Sequence, residues 1–386
     1  MKNNNNDNEI IYIAHYSDIK NNRKGSPAAK AKLSYIFNCI KRINKNLKVL
    51  SFSMVDDRTT IYRKYSSYSN KINDINYIYF TNYSSKYRII RVIGRILSWN
   101  EQKRYIRSII NQNKNCKIII YHSVELFKLY KYLNRIHKDF CVEVEEIYSN
   151  VSQNERRRKK EIYYLQLADK YIFITELLNK IVNIYNKPYI ISHGTYNVEN
   201  DYKKMNFDKS KIHCVYAGTF DPKKGGAIAA VNAAKYLSTN YHIHILGFGS
   251  QKEVENIKNE IKIANNESKA IVSYDGLLSG DEYIKFIQSC NIGLSTQNPD
   301  GAFNTTSFPS KILSYMSNGL RVVSIRIPAI ETSDIGKYMY YYDRQTPEDI
   351  ANAIMNVNIN DNYDGKKIIK KLDKKFIKGL ENLLDE

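Results

Sequence analysis

The 386-residue chain has few of the features that mark secreted or membrane-spanning proteins. Its five cysteines are scattered and form no C-x-x-C pair, which argues against a disulfide framework and a cysteine-based zinc site. No apolar run approaches the roughly 18 residues of a transmembrane helix. The start, MKNNNNDNEIIYIAHYSD, has neither the apolar segment nor the cleavage site of a secretory signal. These absences predict a cytoplasmic protein.

Positive charge is the most prominent feature of the composition. Lysine and arginine number 59 against 39 aspartate and glutamate, a formal net charge of +20. Residues 1–200 hold 35 basic and 17 acidic residues, whereas residues 201–386 hold 24 and 22. A basic surface attracts phosphates, whether in nucleic acid, in anionic lipid headgroups or in a substrate. A/T-rich codon usage explains the lysine equally well, but not the concentration of arginine in the first half.

Short apolar runs alternate with amphipathic stretches in two successive series, which is typical of parallel sheets. The sequence therefore predicts an α/β protein of two doubly wound Rossmann-like domains, residues 1–200 and 201–386, with ligands at the carboxyl ends of the strands. The predicted strands are Ile10–Ala14, Lys48–Phe52, Tyr77–Phe80, Cys116–Tyr121, Val142–Glu145 and Tyr171–Ile174, then Lys211–Tyr216, His242–Leu246, Ala270–Tyr274, Ile292–Ser295 and Arg321–Ser324.

Three segments of the second half combine a strand end with glycine, lysine or a helix start. A-G-T-F-D-P-K-K-G-G (217–226) follows the first strand of that half, and G-F-G (247–249) follows the next. The third segment, S-F-P-S-K-I-L-S-Y-M-S-N-G, predicts a helix with Ser307 as N-cap, Pro309 in the first turn and Gly319 at its end. Because helix N-termini offer free N–H groups and a positive dipole, lysines beside them predict phosphate sites.

In this order the motifs resemble the nucleotide-sugar domain of the retaining glycosyltransferases of family 4. The likeness is strongest over residues 211–325, with S-Y-D-G-L-L-S and C-N-I-G-L-S between the segments above, and extends upstream to I-S-H-G at 191–194. It implies the GT-B fold, two Rossmann-like domains facing across a cleft, with the C-terminal helix crossing back to the first domain. It also implies a metal-independent hexosyltransferase that uses a nucleotide-diphosphate sugar, without a cofactor, on a glycan or polyprenyl-linked acceptor in surface polysaccharide synthesis.

The resemblance also implies roles for individual residues. Lys224 would contact the donor diphosphate and His122 the donor sugar, both as catalytic residues; the alternatives are an exposed turn and a strand-end histidine satisfied by the backbone. Glu145 and Glu146 end a strand and would orient an acceptor, unless they pair with the basic run Arg156–Lys160. The implied donor-binding residues are Gly25, Ser26, Gly218, Thr219, Lys223, Gly247, Tyr274, Asp275, Gly276, Leu277, Ser307, Phe308, Pro309, Ser310, Lys311 and Ser314.

Three positions depart from the family's pattern. Thr219 stands where the family has arginine, and Thr306 and Ser314 stand where it has two glutamates eight residues apart. We interpret the chain as a divergent subgroup with F-P-S-K in place of the glutamate pattern, in which Lys223 and Lys311 restore the missing charge. A non-catalytic homologue is the alternative. No D-x-D motif occurs, so we predict no metal ion in the site.

Two other classes of function are compatible with parts of the sequence. A GT-B sugar epimerase or phosphorylase would share the fold, although a phosphorylase needs a pyridoxal phosphate lysine for which we find no candidate. A basic nucleic-acid-binding protein should carry aromatic residues among its lysines and arginines on a small recognition module. The ordered donor motifs argue against it, and we predict no nucleic-acid partner.

The segment Arg88–Ile110 predicts a helix with two faces. At 100° per residue Arg88, Arg91 and Arg95 share one face, aliphatic residues occupy the other, and the single tryptophan, Trp99, lies at the border. This pattern is typical of a helix lying in an anionic membrane surface. An amphipathic helix packed on the sheet has the same pattern, so the sequence predicts either peripheral binding to the inner face of the plasma membrane or a packed helix.

Overall fold

The computed structural model describes residues 9–18, 21–23, 27–55, 57–152, 154–299, 301, 304 and 306–385. The chain divides into two compact units. The first comprises Met1–Ile174, Leu178–Thr195 and Phe376–Glu386, and the second comprises Thr175–Leu177 and Tyr196–Lys375. The expected domain boundary at residue 200 lies close to this division, which differs mainly in assigning the C-terminal residues to the first unit.

The strands follow the apolar runs of the sequence. In the first unit they are β1 (Glu9–Ala14), β2 (Asn46–Ser51), β3 (Arg63–Tyr65), β4 (Tyr68–Ile72), β5 (Ile75–Tyr79), β6 (Asn82–Ser84), β7 (Lys117–Tyr121), β8 (Cys141–Val144), β9 (Lys170–Phe173) and β10 (Tyr189–Ile191). In the second unit they are β11 (Ile212–Thr219), β12 (Tyr241–Phe248), β13 (Ile271–Gly276), β14 (Ile292–Ser295), β15 (Arg321–Ile325) and β16 (Met339–Tyr342).

The helices connect these strands. They are α1 (Pro27–Arg42), α2 (Arg88–Gln112), α3 (Phe127–Arg135), α4 (Glu155–Leu165), α5 (Glu176–Val182), α6 (Gly226–Ala233), α7 (Gln251–Glu267), α8 (Gly280–Ser289), α9 (Ser310–Ser317), α10 (Pro328–Glu331), α11 (Pro347–Met355) and α12 (Gly365–Asp385). Some starts follow local rules: Ser250 and Glu253 form a capping box on α7, and Thr346 caps α11 before Pro347.

The sheet of the first unit has the order β4-β5-β2-β1-β7-β8-β9-β10. Its pairs are parallel except β4 with β5. Residues Ile10–Ala14 of β1 are buried, as expected for a strand covered on both faces of a parallel sheet. The chain order reverses beside β1, which pairs with β2 on one side and β7 on the other. That reversal is a topological switch point, where open α/β sheets bind ligands.

The sheet of the second unit is parallel, with the order β13-β12-β11-β14-β15-β16. Counted from β11, this is the 3-2-1-4-5-6 order of the Rossmann fold, with its switch point between β11 and β14. Gly293 of β14 lets α9 pack closely, because a Cβ there would overlap with the ring of Tyr315. The Tyr315 hydroxyl in turn accepts a hydrogen bond of 2.8 Å from the Ala217 amide.

The end of α12 belongs to the first unit, as predicted. The ring of Phe376 stacks on that of Tyr35, with 5.8 Å between the centroids. Near the C-terminus Asp385 forms an ion pair with Lys45 at 2.6 Å. The helix approaches β10 closely, since a Cβ on Gly379 would lie 3.3 Å from Ile190.

The sequence analysis missed several strands of the first unit because they are polar. Strands β3, β4 and β6 consist largely of Arg, Lys, Asn, Ser and Tyr, and β4 has one partner, β5. The hairpin between β4 and β5 turns at Asn73 and Asp74, which both have positive φ, at 50° and 64°. A two-residue turn of this kind favours Asn and Asp, so I-N-D-I was a readable hairpin signal.

Candidate functional site

Two lysines and the start of α6 lie at the switch point of the second unit. Strand β11 ends at Thr219, and Lys223 and Lys224 are exposed just before α6 begins at Gly226. The N-cap, Gly225, has φ of +61°, a conformation that glycine adopts readily, and glycine has no side chain with which to cap the helix. Because the N-cap supplies no acceptor, the first N–H groups of α6 can hold an anion.

Hydrogen bonds between the loops after β11 and β14 fix the lysine loop. The Asn298 amide donates to the carbonyl of Lys224 at 2.8 Å. The Thr296 hydroxyl donates to the carbonyl of Gly226 at 2.6 Å. Because β11 and β14 flank the switch point, these bonds hold both lysines of the loop at the edge of the sheet where ligands bind.

A second helix start, that of α9, lies in the same unit. The helix begins at Ser310, and its N-cap is Pro309 rather than the predicted Ser307. The reason is that Pro309 has an extended ψ of 100°, so it lies just outside the helix and Ser307 comes too early to cap it. Lys311 lies in the first turn, and Gly319, with φ of +90°, follows the helix, as expected. Like Gly225 at α6, the N-cap Pro309 makes no side-chain capping hydrogen bond.

Lys311 has no counterion among the described residues. Its Nζ lies 3.8 Å from the centroid of the Tyr216 ring, and it makes no hydrogen bond or ion pair with any residue that the structure describes. Burial, together with the charge of Lys224, lowers the pKa of Lys311 from 10.5 to about 7. Glycines make room for this arrangement: a Cβ on Gly218 would lie 3.2 Å from the ammonium, and one on Gly226 would lie 2.9 Å from Tyr216. An anion placed here would restore the charge of Lys311.

An apolar edge adjoins this site at the ends of β12 and β13. Gly247, near the end of β12, has φ of +146°, and a Cβ there would overlap with the backbone carbonyl of Gly218 on β11, so only glycine fits at residue 247. The Tyr274 hydroxyl donates to the Gly247 carbonyl at 3.3 Å. Phe248 is 53% exposed and Leu277 is 63% exposed. Exposed apolar side chains of this size can stack on a flat ring such as a nucleobase.

Other expected donor residues have local partners. The Asp275 carboxylate accepts hydrogen bonds from Ser273 at 2.8 Å and from His244 at 3.1 Å. Although burial raises the pKa of Asp275, the bonds from His244 and Ser273 outweigh it and lower that pKa. Ser314 hydrogen-bonds with Tyr283. These groups are engaged within the second unit, and their contact with a donor stays a prediction.

Five further predicted positions remain, of which the structure describes three. Thr219 is exposed at the end of β11, and Phe308 is buried. Gly276 has φ of +83° with open space around it. Gly25 and Ser26 lie outside the described residues.

His122 is buried in the first unit with both ring nitrogens in use. Nε2 lies 2.8 Å from a carboxylate oxygen of Glu161, and Nδ1 lies 3.1 Å from the Tyr130 hydroxyl. Burial tends to raise the pKa of Glu161, but hydrogen bonds from His122 and Ser149 outweigh it and lower that pKa. Side chains rather than the backbone satisfy the His122 ring. Contact between His122 and a donor sugar therefore stays a prediction.

In the acidic stretch after β8, Glu145 pairs with Lys32. Glu145 accepts from the Tyr121 hydroxyl at 3.0 Å and lies 3.7 Å from the Lys32 ammonium. Glu143 lies within β8, two residues before Glu145; it is buried and accepts a hydrogen bond from Tyr12. Burial raises the pKa of Glu143 to about 7. Glu146 is half-buried, and an acceptor role for it and for Glu145 stays a prediction.

A cavity of about 260 Å³ lies at the carboxyl ends of β1, β2 and β5. His15, which follows β1, lines it: its Nδ1 lies 3.1 Å from the Phe52 carbonyl, and Nε2 has no hydrogen-bond partner among the described residues. Because a carbonyl only accepts, Nδ1 carries the proton and Nε2 presents a lone pair. Burial lowers the pKa of His15, although Glu125 at 3.7 Å opposes this. Sequence reasoning missed His15, although its place directly after the first strand was a usable signal.

The two halves of α2 contact the first unit differently. In the first half a Cβ on Gly94 would lie 2.5 Å from that of Tyr83, and the Ser98 hydroxyl donates to the Thr81 carbonyl at 2.6 Å. In the second half Ile106 and Ile109 are buried in the hydrophobic core. Five aliphatic side chains of the first half are exposed: Ile89 (75%), Val92 (46%), Ile93 (52%), Ile96 (50%) and Leu97 (47%). The packed-helix alternative therefore describes the second half of α2 and not this exposed face. Within the described ranges no helix is long and apolar enough to span a membrane.

Comparisons with known proteins give the fold. A scan against protein-family models finds no match, and neither does a search of curated proteins. Among solved structures, the chain is similar over 97% of its length to the lipopolysaccharide outer core galactosyltransferase WaaB (14% identity, 99% of that chain, TM-score 0.61). It is similar over 97% to trehalose 6-phosphate synthase from Burkholderia multivorans (7% identity, 94% of that chain, TM-score 0.61).

It is also similar over 98% of its length to the pneumococcal O-GlcNAc transferase GtfA, solved with UDP and GlcNAc (11% identity, 100% of that chain, TM-score 0.57). Identities this low bear on the fold alone. The chain has the fold of the GT-B glycosyltransferases, with two Rossmann-like domains, as the resemblance in its sequence implied.

Proposed function

We propose that the chain is a retaining, metal-independent glycosyltransferase that moves a hexose from a nucleotide-diphosphate sugar to a glycan or polyprenyl-linked acceptor in surface polysaccharide synthesis. The observation that carries the proposal is the uncompensated Lys311 beside Lys224 at a Rossmann switch point, next to two helix starts without capping side chains. A diphosphate supplies the charge that this arrangement lacks.

In this proposal the second unit binds and activates the leaving group. The bond between the sugar and the diphosphate breaks, and negative charge accumulates on the phosphate oxygens. Lys224 and the N–H groups of α6 stabilise that charge more strongly in the transition state than in the ground state, which is what accelerates the reaction. Phe248 and Leu277 would contact the nucleobase, since both are exposed at the same edge of the sheet.

The first unit would bind the acceptor in the cavity at His15. The free Nε2 of His15 can accept a hydrogen bond from an acceptor hydroxyl, and Trp99 lines the same cavity as an aromatic wall for a sugar ring. The exposed aliphatic face of α2, which we call the α2 apolar face (Ile89, Val92, Ile93, Ile96 and Leu97), would rest in an anionic membrane surface. The excess of basic residues in the first half supports this placement.

A nucleotide panel tests the donor proposal. The melting temperature of the purified chain is measured with UDP, GDP, dTDP and CMP, and with the sugar conjugates of any that bind. One nucleotide diphosphate should stabilise the chain, by about 2.7 kcal/mol at 100 times its dissociation constant. At the same nucleotide concentration the stabilisation should fall to about 0.4–1.4 kcal/mol in Lys311→Met, if the lost contact weakens binding by roughly 10–100-fold. It should persist in Lys262→Met, which alters an exposed lysine of α7. Absence of any shift across the panel contradicts the donor proposal.

Vesicle binding tests the membrane proposal. Full-length chain should sediment with vesicles that contain acidic lipid, less so as salt increases, because each arginine near such a surface is worth about 1 kcal/mol. Ile93→Ser and Arg88→Glu/Arg95→Glu should lose most of the binding. The control Arg104→Glu/Arg107→Glu changes the same charge on an exposed part of the same helix and should bind more strongly than Arg88→Glu/Arg95→Glu. Equal binding to neutral and acidic vesicles, or none to either, contradicts the proposal.

A further inference from the structure

Three histidines meet on one face of the second sheet, near the starts of β11 and β12. His213 and His242 are register partners, and His244 follows two residues later on the same strand, so all three project to the same side. Their nitrogens lie within 4.8 Å of one another. His213 and His244 are buried and His242 is half-buried. Phe207 covers the cluster, its ring centroid 4.9 Å from that of His244.

The hydrogen bonds around the cluster fix which nitrogens carry protons. Nε2 of His213 lies 2.9 Å from the Asp208 carbonyl, which only accepts, so Nε2 carries the proton. Nδ1 of His244 lies 3.1 Å from the Asp275 carboxylate, which also only accepts while it is ionised. In the neutral forms Nδ1 of His213 and Nε2 of His244 therefore each present a lone pair. These two nitrogens face each other at 2.9 Å.

Two lone pairs at that distance repel unless a positive species lies between them. A shared proton would make one histidine cationic in a buried place. The neutral imidazole is the form that binds metal ions.

We propose that His213, His242 and His244 form a binding site for one divalent transition-metal ion of the zinc type. Imidazole nitrogen suits Zn²⁺ and Co²⁺, which it binds at about 2.0–2.1 Å in tetrahedral geometry with an open fourth position for water. Two such ligands lie roughly 3.4 Å apart. The facing nitrogens of His213 and His244 lie 2.9 Å apart, so these two rings would have to separate slightly to hold the ion. The Asp208 carbonyl and the Asp275 carboxylate orient His213 and His244 as outer partners usually do at metal sites.

The site would be structural, and of the implied donor-binding residues it would involve Asp275, through the hydrogen bond with His244. His213 precedes Gly218 by five residues along β11, which corresponds to about 17 Å of extended strand. The ion would connect β11 with β12 near their amino ends, whereas the proposed donor site lies at their carboxyl ends. Metal loss should therefore lower the melting temperature and leave nucleotide binding unchanged.

Direct metal titration tests this inference. The full-length chain is stripped with chelator, dialysed and titrated with Zn²⁺ against a chromophoric competitor, and with Co²⁺ while its visible absorption is followed. Wild-type chain should bind one equivalent, show the absorption of tetrahedral Co²⁺ and melt at a higher temperature with Zn²⁺. His242→Asn, at the half-buried ligand, should weaken binding by more than about 100-fold, and Asp275→Asn by about 10–100-fold.

His137→Asn is the matched control, because His137 is exposed and has a positive φ of 51° that asparagine tolerates. It should bind as the wild type does. Circular dichroism of the metal-free variants checks that they fold. Uptake of less than one equivalent by the wild type at micromolar Zn²⁺ overturns the proposal. Wild-type affinity in a folded His242→Asn variant overturns it as well.

Discussion

Replacing Lys311 by methionine should stabilise the protein and at the same time weaken its binding of nucleotide. The ammonium of Lys311 has no carboxylate partner among the described residues and lies close enough to Lys224 for repulsion to help lower its pKa to about 7. Methionine keeps an unbranched chain of similar length against the Tyr216 ring and removes the charge. A cation kept at a cost to stability is expected where it binds an anion.

The size of the effect follows from the pKa. One pKa unit corresponds to about 1.4 kcal/mol, so the change from 10.5 to about 7 corresponds to at most about 5 kcal/mol. Because the side chain is partly exposed, solvent screens the charge, and we expect about 2 kcal/mol. Between pH 7 and pH 10.5 the unfolded chain binds more protons at this lysine than the folded chain. Stability therefore rises with pH through this window, and the penalty is complete below pH 7.

The variant should therefore gain about 2 kcal/mol over wild type below pH 7 and little above pH 10.5. Nucleotide binding should show the opposite dependence. Bound diphosphate raises the pKa of Lys311, so binding above pH 7 takes up a proton and weakens by as much as tenfold for each pH unit. Loss of this contact should weaken binding below pH 7 by roughly 10–100-fold and remove the pH dependence.

Urea unfolding followed by circular dichroism measures the first effect, and calorimetric titration with nucleotide measures the second. Wild type, Lys311→Met and the exposed-site control Lys262→Met are compared at each pH, so that other titrating groups cancel. If the control gains as much stability as Lys311→Met, the gain does not come from the buried charge. A wild-type affinity that stays constant well above pH 7, or a pH dependence that survives in Lys311→Met, refutes the reasoning.

Two further outcomes are expected from the proposed donor site. Lys224→Ala should lower product formation by about 100-fold, because each lost transition-state contact costs on the order of 3 kcal/mol. The melting curve should stay nearly unchanged, since the side chain is exposed. Turnover near that of the wild type would show that Lys224 is not part of the site. Excess EDTA should leave the transfer rate unchanged, even if it removes a metal ion from the three histidines. Activity that disappears in EDTA and returns with Mn²⁺ or Mg²⁺ would contradict metal-independent transfer.

The sequence was most informative where strands are buried on both faces. Runs such as the I-I-I of β7 indicate a central parallel strand whatever lies around them. Strands β3, β4 and β6 carry no such run, because they lie outside the central parallel strands. Strands β3 and β4 keep polar side chains in water, whereas Asn82 and Ser84 of β6 are buried and hydrogen-bond with the backbone. Their position depends on pairing partners, which composition does not specify.

The candidate site was predictable to the extent that strand ends and helix starts position it. Lys224 and Lys311 follow strands and begin helices, so local sequence was enough to single them out. His122 could not be resolved in this way, because its partner Glu161 is 39 residues away. The sequence also did not predict which face of α2 packs on the first unit. Periodicity identifies two faces, but the close contact between Gly94 and Tyr83 determines which of them is buried.

The departures from the pattern of the family that the sequence resembles can be explained together by the surroundings of Lys311. An arginine at Thr219 would add a cation beside Gly218, whose Cβ position is 3.2 Å from the Lys311 ammonium. With Lys224 already lowering the pKa of Lys311, a third cation would increase the repulsion. Thr306 stands at the first of the two glutamate positions and is buried. Because threonine has no carboxylate, nothing at this position competes with a diphosphate for the lysines. Replacing Thr219 by arginine alone should therefore lower the pKa of Lys311 further. For this reason we interpret Thr219 and Lys311 as departures that occur together.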